Sequence, residues 1–245
     1  MINGKTISLV VPCRNEEKII TSFIKKVPPC VDEILIVDNG STDNTAKIAK
    51  KSGATVVTEK RTMDGIGYGF AHQTGMKNAS GDYVVAMDGD DTYPVRSIKK
   101  IITHMEKRGL DVVSCNRFPL KNPRAISPVR QLGIHILNLE TLMLFGYPIK
   151  DILTGMWVIR KTAVKELGAT QGDWNFSPEL KINALTNPAI AFAEYHINHF
   201  ARNGNVSKQQ IWKTGLSHAL FLINKRVELW KEEISQGHRK RVAFS

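Results

Sequence analysis

Over residues 1–116, short apolar runs rich in β-branched residues alternate with stretches of helical periodicity, and this alternation constrains the fold more than any other feature. The runs are Thr6–Val11, Glu33–Val37, Ala54–Thr58, Tyr83–Met87 and Asp111–Ser114. Runs of this kind read as parallel strands covered on both faces. Between them the spacing predicts helices over Glu16–Lys26, Asn44–Lys51, Gly67–Asn78 and Val95–Lys107, with Ser52-Gly53, Ser80-Gly81 and Arg108-Gly109 as stops. Such alternation builds βαβ units, so the fold class is α/β, doubly wound.

After Arg117 the pattern changes. Phe118–Pro128 holds three prolines and no clear period, which marks a loop long enough to be functional. Val129–Phe145 and Pro178–Leu185 read as helices, Trp157–Ile159 and Ile190–Ile197 as strands. Ser207–Glu233 reads as one long amphipathic helix with Leu216, Leu220, Ile223, Val227 and Trp230 on a single stripe. With no repeat or long linker, residues 1–206 form one domain. Residues 207–245 are a basic amphipathic helix and tail, either part of that domain or a membrane-surface contact.

A chain of 245 residues that is 42% hydrophobic and 23% charged can bury a substantial core, which argues against disorder. No apolar run reaches the ~18–20 residues of a membrane span, and no signal-peptide pattern is seen at the start. Cys13, Cys30 and Cys115 lack metal-ligand spacing and are too few for a disulfide framework. The expectation is a cytoplasmic protein. Of its formal charge of +11, +6 falls in residues 201–245, with nine basic side chains against three acidic. That tail suits nucleic acid, an anionic membrane surface or a phosphorylated substrate.

Three strand ends carry the polar chemistry. Val84-Val85-Ala86-Met87-Asp88-Gly89-Asp90-Asp91 ends a buried strand in carboxylates two residues apart, at the crevice where open α/β sheets bind ligands. Crowded carboxylates repel unless a cation is present, and Mg²⁺ or Mn²⁺ held by Asp88 and Asp90 with phosphate oxygens answers that need. Asp91 can cap the next helix. Val10-Val11-Pro12-Cys13-Arg14-Asn15-Glu16-Glu17 and Ile36-Val37-Asp38-Asn39-Gly40-Ser41-Thr42-Asp43 bring polar side chains to the same edge. Asp38 can accept from a base or ribose, while Asp43 is equally explained as a residue at a helix start. Gly65-Ile66-Gly67-Tyr68-Gly69 offers a place where backbone can approach a ligand closely.

Taken together, from about Ile7 to Lys208, these motifs resemble glycosyltransferase family 2, the inverting sugar transferases of the GT-A fold. The resemblance implies nucleotide contacts from Pro12, Asn15, Glu16, Asp38 and Asp43, and metal on Asp88 and Asp90 at the donor diphosphate. Thr92 stands where the third metal-side ligand is expected, a poorer ligand than the usual amide or imidazole. Within the family the chain looks most like the dolichyl- or polyprenyl-phosphate mannosyltransferase branch, through Arg117, Arg130, Asp151-Ile152-Leu153-Thr154-Gly155-Met156 and Arg202-Asn203-Gly204-Asn205-Val206-Ser207-Lys208. That branch implies a lipid-phosphate grip by Arg117 and Arg130, and Arg202 and Lys208 near the diphosphate. Cys115-Asn116 before Arg117 departs from its small-residue pair.

A sugar-hydroxyl acceptor needs a general base, and Glu179 in Phe176-Ser177-Pro178-Glu179-Leu180 is the acidic residue nearest the expected place, although a helix N-terminal carboxylate explains it as well. A lipid phosphate is already ionised and needs positioning, for which arginine presents a planar fork. Arg117, Arg124 and Arg130 flank the irregular loop. The expected reaction is metal-dependent transfer of one sugar from a GDP- or UDP-sugar to a polyprenyl or dolichyl phosphate, at the cytosolic membrane face or through a membrane-protein partner. The alternatives are a glycan hydroxyl acceptor, or a non-catalytic basic protein bound to nucleic acid or membrane. The motif set moves the expected polyanion from nucleic acid to phosphate. The C-terminal stripe is expected to face either the bilayer, with Lys213, Lys225, Arg226 and Lys231 near head groups, or the protein's own core or a partner.

Overall fold

A computed structural model describes residues 1–63, 66–202 and 209–242, with side chains of the last helix followed to residue 235. The first half runs β1 (Ile7–Cys13), α1 (Ile20–Lys26), β2 (Glu33–Asp38), α2 (Thr45–Lys51), β3 (Thr55–Thr58), α3 (Tyr68–Asn78), β4 (Tyr83–Ala86), α4 (Ile98–Lys107) and β5 (Val112–Asn116). The second half runs α5 (Pro128–Phe145), β6 (Trp157–Arg160), α6 (Lys161–Glu166), α7 (Phe176–Thr186), β7 (Phe192–His196) and α8 (Ile211–Val242). All strands join one sheet in the order β3-β2-β1-β4-β6-β5-β7.

Alternation along β1 sends Leu9 and Val11 to one face and Val10 to the other, and each face has its own core. Leu9, Val11, Ile36, Val85 and Val158 pack with Phe23 of α1 and Ile98, Ile101, Ile102 and Met105 of α4. On the other face Val10, Val37, Val84 and Trp157 pack with Ala71 and Met76 of α3 and Phe176 and Leu180 of α7. A strand buried on both faces has no polar side, which is why these segments read as continuous apolar runs.

The sheet is mostly parallel, with one exception. β6 lies antiparallel between β4 and β5, pairing Val85 with Val158 and Val113 with Val158 from either side. Arg117, just beyond the carboxyl end of β5, bonds Asp151, so the chain re-enters the sheet from that edge and must run backwards through it.

Several expected bounds shift. α1 begins at Ile20 rather than Glu16, after a tighter turn in which Ile19 N bonds Glu16 O at 3.1 Å, while the Glu16 and Glu17 N–H groups go to Thr45 Oγ1 (2.8 Å) and Asp43 Oδ2 (3.3 Å) across the crevice edge. The first turn expected of the Val95–Lys107 helix is a 3-10 turn at Val95–Ser97. α6 was not expected, since six residues are too short to show a helical period. β5 extends to Asn116, so Arg117 sits directly at the sheet's carboxyl edge.

α8 is longer than expected and divides its faces. Leu222 is buried in a cluster with Leu137 of α5, Ile149, Ile152 and Ile182. The stripe read from the sequence is the other face: Leu216, Leu220, Ile223, Val227 and Trp230 are 64%, 52%, 46%, 42% and 55% exposed. α5 carries a matching exposed row of Val129, Leu132, Ile136, Leu139 and Met143. No helix among the described residues is long and apolar enough to cross a membrane.

Candidate active site

The carboxyl edges of β1, β4 and β5 open into a cavity of about 480 Å³, closed on its far side by the first turns of α5 and α8. Of the expected site residues, Pro12, Glu16, Asp88, Asp90, Thr92, Arg117, Arg130 and Arg202 line it. Lys208 lies outside the described residues.

Asp88 and Asp90 follow β4 across Gly89, where a Cβ would meet Cys13 Sγ and Val11 Cγ1, each at 2.8 Å. Only glycine lets this turn press against β1. Tyr68, the first residue of α3, donates its hydroxyl to Asp88 Oδ1 at 3.1 Å. Burial, and then the Asp90 charge, push Asp88 well above the usual carboxylate range, against the Tyr68 hydrogen bond and the charges of Arg202 and Arg117. Asp90 is held by the Thr92 hydroxyl on Oδ1 at 2.6 Å and ion-pairs with Arg202 through Oδ2. The Thr92 hydroxyl therefore orients Asp90 in this arrangement. Asp91 does not cap the following turn; in a left-handed conformation (φ 66°), it pairs with Lys26 of α1.

Arg117 is largely shielded and bonded twice to the buried Asp151, through Nε at 2.6 Å and Nη2 at 2.8 Å, and its N–H also reaches Asp151 Oδ2 at 3.1 Å. Burial works against the Arg117 charge, but the Asp151 carboxylate more than offsets it and holds the guanidinium above its ordinary value. Arg130, from the first turn of α5, is lowered by burial and by the charges of Arg202 and Arg117. Guanidiniums gathered in one recess repel each other and favour an anion among them. Burial and the nearby arginines drop His199, on the same wall, to about 3, so it is neutral.

The remaining expectations fall elsewhere. Asn15 (φ 56°) accepts from Thr42 N at 2.8 Å, Asp38 from Ser41 N at 3.2 Å, and Asp43 from Thr45 N at 2.9 Å. Asn15 and Asp43, which also accepts from Glu17 N, tie the β1 and β2 loops together, Asp38 holds the turn after β2, and none of the three lines the cavity; Asp43 also fixes the start of α2. Arg124 is exposed outside the cavity. Glu179 is buried away from it, accepting from Thr170 N at 2.8 Å and Gln171 N at 2.7 Å. The glycines at 67 and 69 serve packing rather than ligand approach, for a Cβ would come within 2.4 Å of Arg61 O and 2.0 Å of Gln171 O respectively. Gly65 lies outside the described residues. His199 enters the wall from a distance that closes only in the fold, while Tyr68 and Tyr93 stand in or beside expected motifs but carry no expected role of their own. Asp151 and Arg117 both belong to the expected set, but nothing in their spacing pairs them.

Residues 8–168, well over half of the chain, match the family described as glycosyl transferase family 2. The chain belongs to that family. The transferase is 29% identical over 205 residues to an uncharacterized glycosyltransferase of Mycobacterium tuberculosis, covering 84% of this chain and 90% of the relative. It is 28% identical over 187 residues to a dolichyl-phosphate hexose transferase of Haloferax volcanii, covering 75% and 77%. In fold it is similar to glucosyl-3-phosphoglycerate synthase from Mycobacterium tuberculosis, with a TM-score of 0.68 at 23% identity over 91% of this chain and 80% of that one. The sheet is thus the GT-A type that the motifs implied, and the transferase is a glycosyltransferase.

Proposed function

We propose that the protein transfers one sugar from a nucleotide-sugar, with inversion, to a polyprenyl or dolichyl phosphate at a membrane surface. The observation that carries this is the composition of the cavity. Arg117, Arg130 and Arg202 line it together, and the same lining includes Val129, which begins the exposed apolar row of α5, and Ile211, next to Trp212 at the start of the row on α8. Cationic groups beside exposed apolar rows suit an anionic head group on an apolar chain.

Pro12 and Glu16 would contact the nucleotide, with Asn15, Asp38 and Asp43 shaping the loops around it. Mg²⁺ or Mn²⁺ fits Asp88 and Asp90, where burial and then mutual repulsion raise Asp88 and Arg202 pairs with Asp90 as a counter-cation. Among the described residues no group of three His, Cys, Asp or Glu could hold a metal, in keeping with an ion that takes its other ligands from phosphate and water. When bound, such an ion neutralises charge on the leaving diphosphate. Arg202 and Lys208 would add to that neutralisation. Arg117 and Arg130 orient the acceptor phosphate, whose ionised oxygen forms the new bond to the anomeric carbon as the bond to the diphosphate breaks. No proton has to leave the nucleophile, so no base is needed, consistent with Glu179 being turned into the fold.

Two similarities support the reading. One relative is named a dolichyl-phosphate hexose transferase. A structure of glucosyl-3-phosphoglycerate synthase, 25% identical with a TM-score of 0.65, is a complex with Mn²⁺, uridine-diphosphate-glucose and phosphoglyceric acid.

The test is incubation of the protein with Mn²⁺ or Mg²⁺, a panel of GDP- and UDP-sugars, and either polyprenyl phosphate or phosphoglyceric acid, with products read by mass spectrometry. A sugar-phosphate-lipid is expected. Bound nucleotide without any sugar-lipid from any donor overturns the acceptor assignment.

A further inference from the structure

The segment Lys150–Gly155 spans the two charged centres of the cavity. At one end Asp151 holds Arg117. At the other, Gly155 lies so near Asp88 that a Cβ would come within 2.9 Å of both Asp88 Oδ2 and the Tyr68 hydroxyl. The segment belongs to no helix or strand, so side chains must satisfy its peptide groups. Glu194 accepts from Lys150 N at 2.8 Å and Asp151 N at 3.1 Å. Asn138 takes Lys150 O at 2.7 Å and Ile152 N at 3.0 Å. The Tyr93 hydroxyl accepts from Gly155 N at 2.6 Å.

The carbonyls of Ile152 and Thr154 are held from α7, where the Ser177 hydroxyl donates to Thr154 O at 2.9 Å and to Ile152 O at 3.4 Å, and Lys181 donates to both. Lys181 of α7 is fully buried and donates from Nζ to Ile152 O, to Thr154 O at 3.0 Å and to Ser177 Oγ at 2.8 Å. Three donors meet three acceptors. An amine in this core is costly, and burial drops it to about 7. Packing alone does not call for it, since a methionine would fill similar volume beside Trp157. What an apolar side chain cannot do is fix the two carbonyls. Lys181 does not line the cavity, so it acts through the segment it holds.

We propose that Lys181 is a positioning residue: it clamps the Ile152 and Thr154 carbonyls so that Asp151 presents Arg117 to the acceptor phosphate. This rests on the acceptor role given to Arg117 above.

The test uses the full chain carrying Lys181→Met. The Arg117 Nε–H resonance, identified by its loss in Arg117→Lys, is expected to exchange with solvent about tenfold faster or more than in the wild type. KM for polyprenyl phosphate is expected to rise about tenfold while nucleotide affinity changes less than about twofold. Unchanged Nε–H exchange overturns the proposal, as does a parallel loss of donor and acceptor binding that tracks a fall in Tm. If Lys181→Met fails to fold, Asn138→Ala frees the opposite edge of the same segment from a partly exposed position. It is expected to give the same split between acceptor and donor, and equal effects on both overturn the proposal. Should the wild type transfer no sugar to polyprenyl phosphate, the acceptor reading falls, while Nε–H exchange still decides what Lys181 does.

Discussion

Arg202 ion-pairs with Asp90 on the carboxylate oxygen that Thr92 leaves free. A cation bound at Asp90 therefore competes with the guanidinium. The pair is partly exposed, with Arg202 at 31%, so removing it frees about 0.2–1 kcal/mol for an incoming ion. Arg202→Met is expected to tighten Mn²⁺ binding up to about fivefold without nucleotide, measured by titration calorimetry or electron paramagnetic resonance. Weaker binding would mean that Arg202 helps to hold the ion.

Asp151 has no exposure and Arg117 only 11%, so breaking their pair strands a buried charge. Asp151→Asn is expected to cost about 3–5 kcal/mol in urea unfolding. Arg117→Lys, which loses the fork but keeps the charge, is expected to cost less stability and to weaken the acceptor step more than nucleotide binding.

Glu179 separates the two acceptor chemistries. Glu179→Gln is expected to leave turnover within about threefold and to lower stability by about 1–2 kcal/mol, because the Thr170 and Gln171 N–H groups lose a charged acceptor. Abolished turnover in a folded variant would favour a hydroxyl acceptor.

Glu59 follows β3 and is held at about 2, first by hydrogen bonds from the Arg61 side chain, against 4.5 in the unfolded chain. A carboxyl lowered by folding stabilises above its unfolded value and loses that contribution as pH falls towards its folded one. Arg61 is 54% exposed, so solvent screening reduces the contribution to about 1–2 kcal/mol. Glu59→Gln should therefore lower Tm at pH 7, and the difference from wild type should shrink between pH 4.5 and about 2.

The exposed row on α8 begins at Trp212, 81% exposed, and Leu216, 64% exposed. Replacing both with serine is expected to weaken flotation with anionic vesicles about tenfold or more, while leaving nucleotide binding unchanged. Undiminished flotation would remove this face from the membrane contact.

Much of the carboxylate edge was legible because it is local. A buried strand, a tight turn and a carboxylate pair lie within Val84–Asp90, and Pro12 lies near the end of β1 with Glu16 just beyond it. Asn15, Asp38 and Asp43 were less legible. Their side chains are drawn into the loops they sit on, and a polar residue at a strand end looks the same whether it faces ligand or neighbour. The stripe on α8 was visible as a period, but a period marks an apolar face without saying what covers it.

The sequence by itself determined the layered α/β fold, the family and the carboxylates at the end of β4, since each depends on residues a few positions apart whose spacing sets their direction. The tertiary structure alone decided which charges meet. Asp151 reaches Arg117 across 34 residues, Arg202 returns to Asp90 from the far end of the sheet, and Lys181 comes from another helix to hold the segment between them. Such partners share no local period, because their proximity comes from strand order and from the one strand that runs backwards through the sheet.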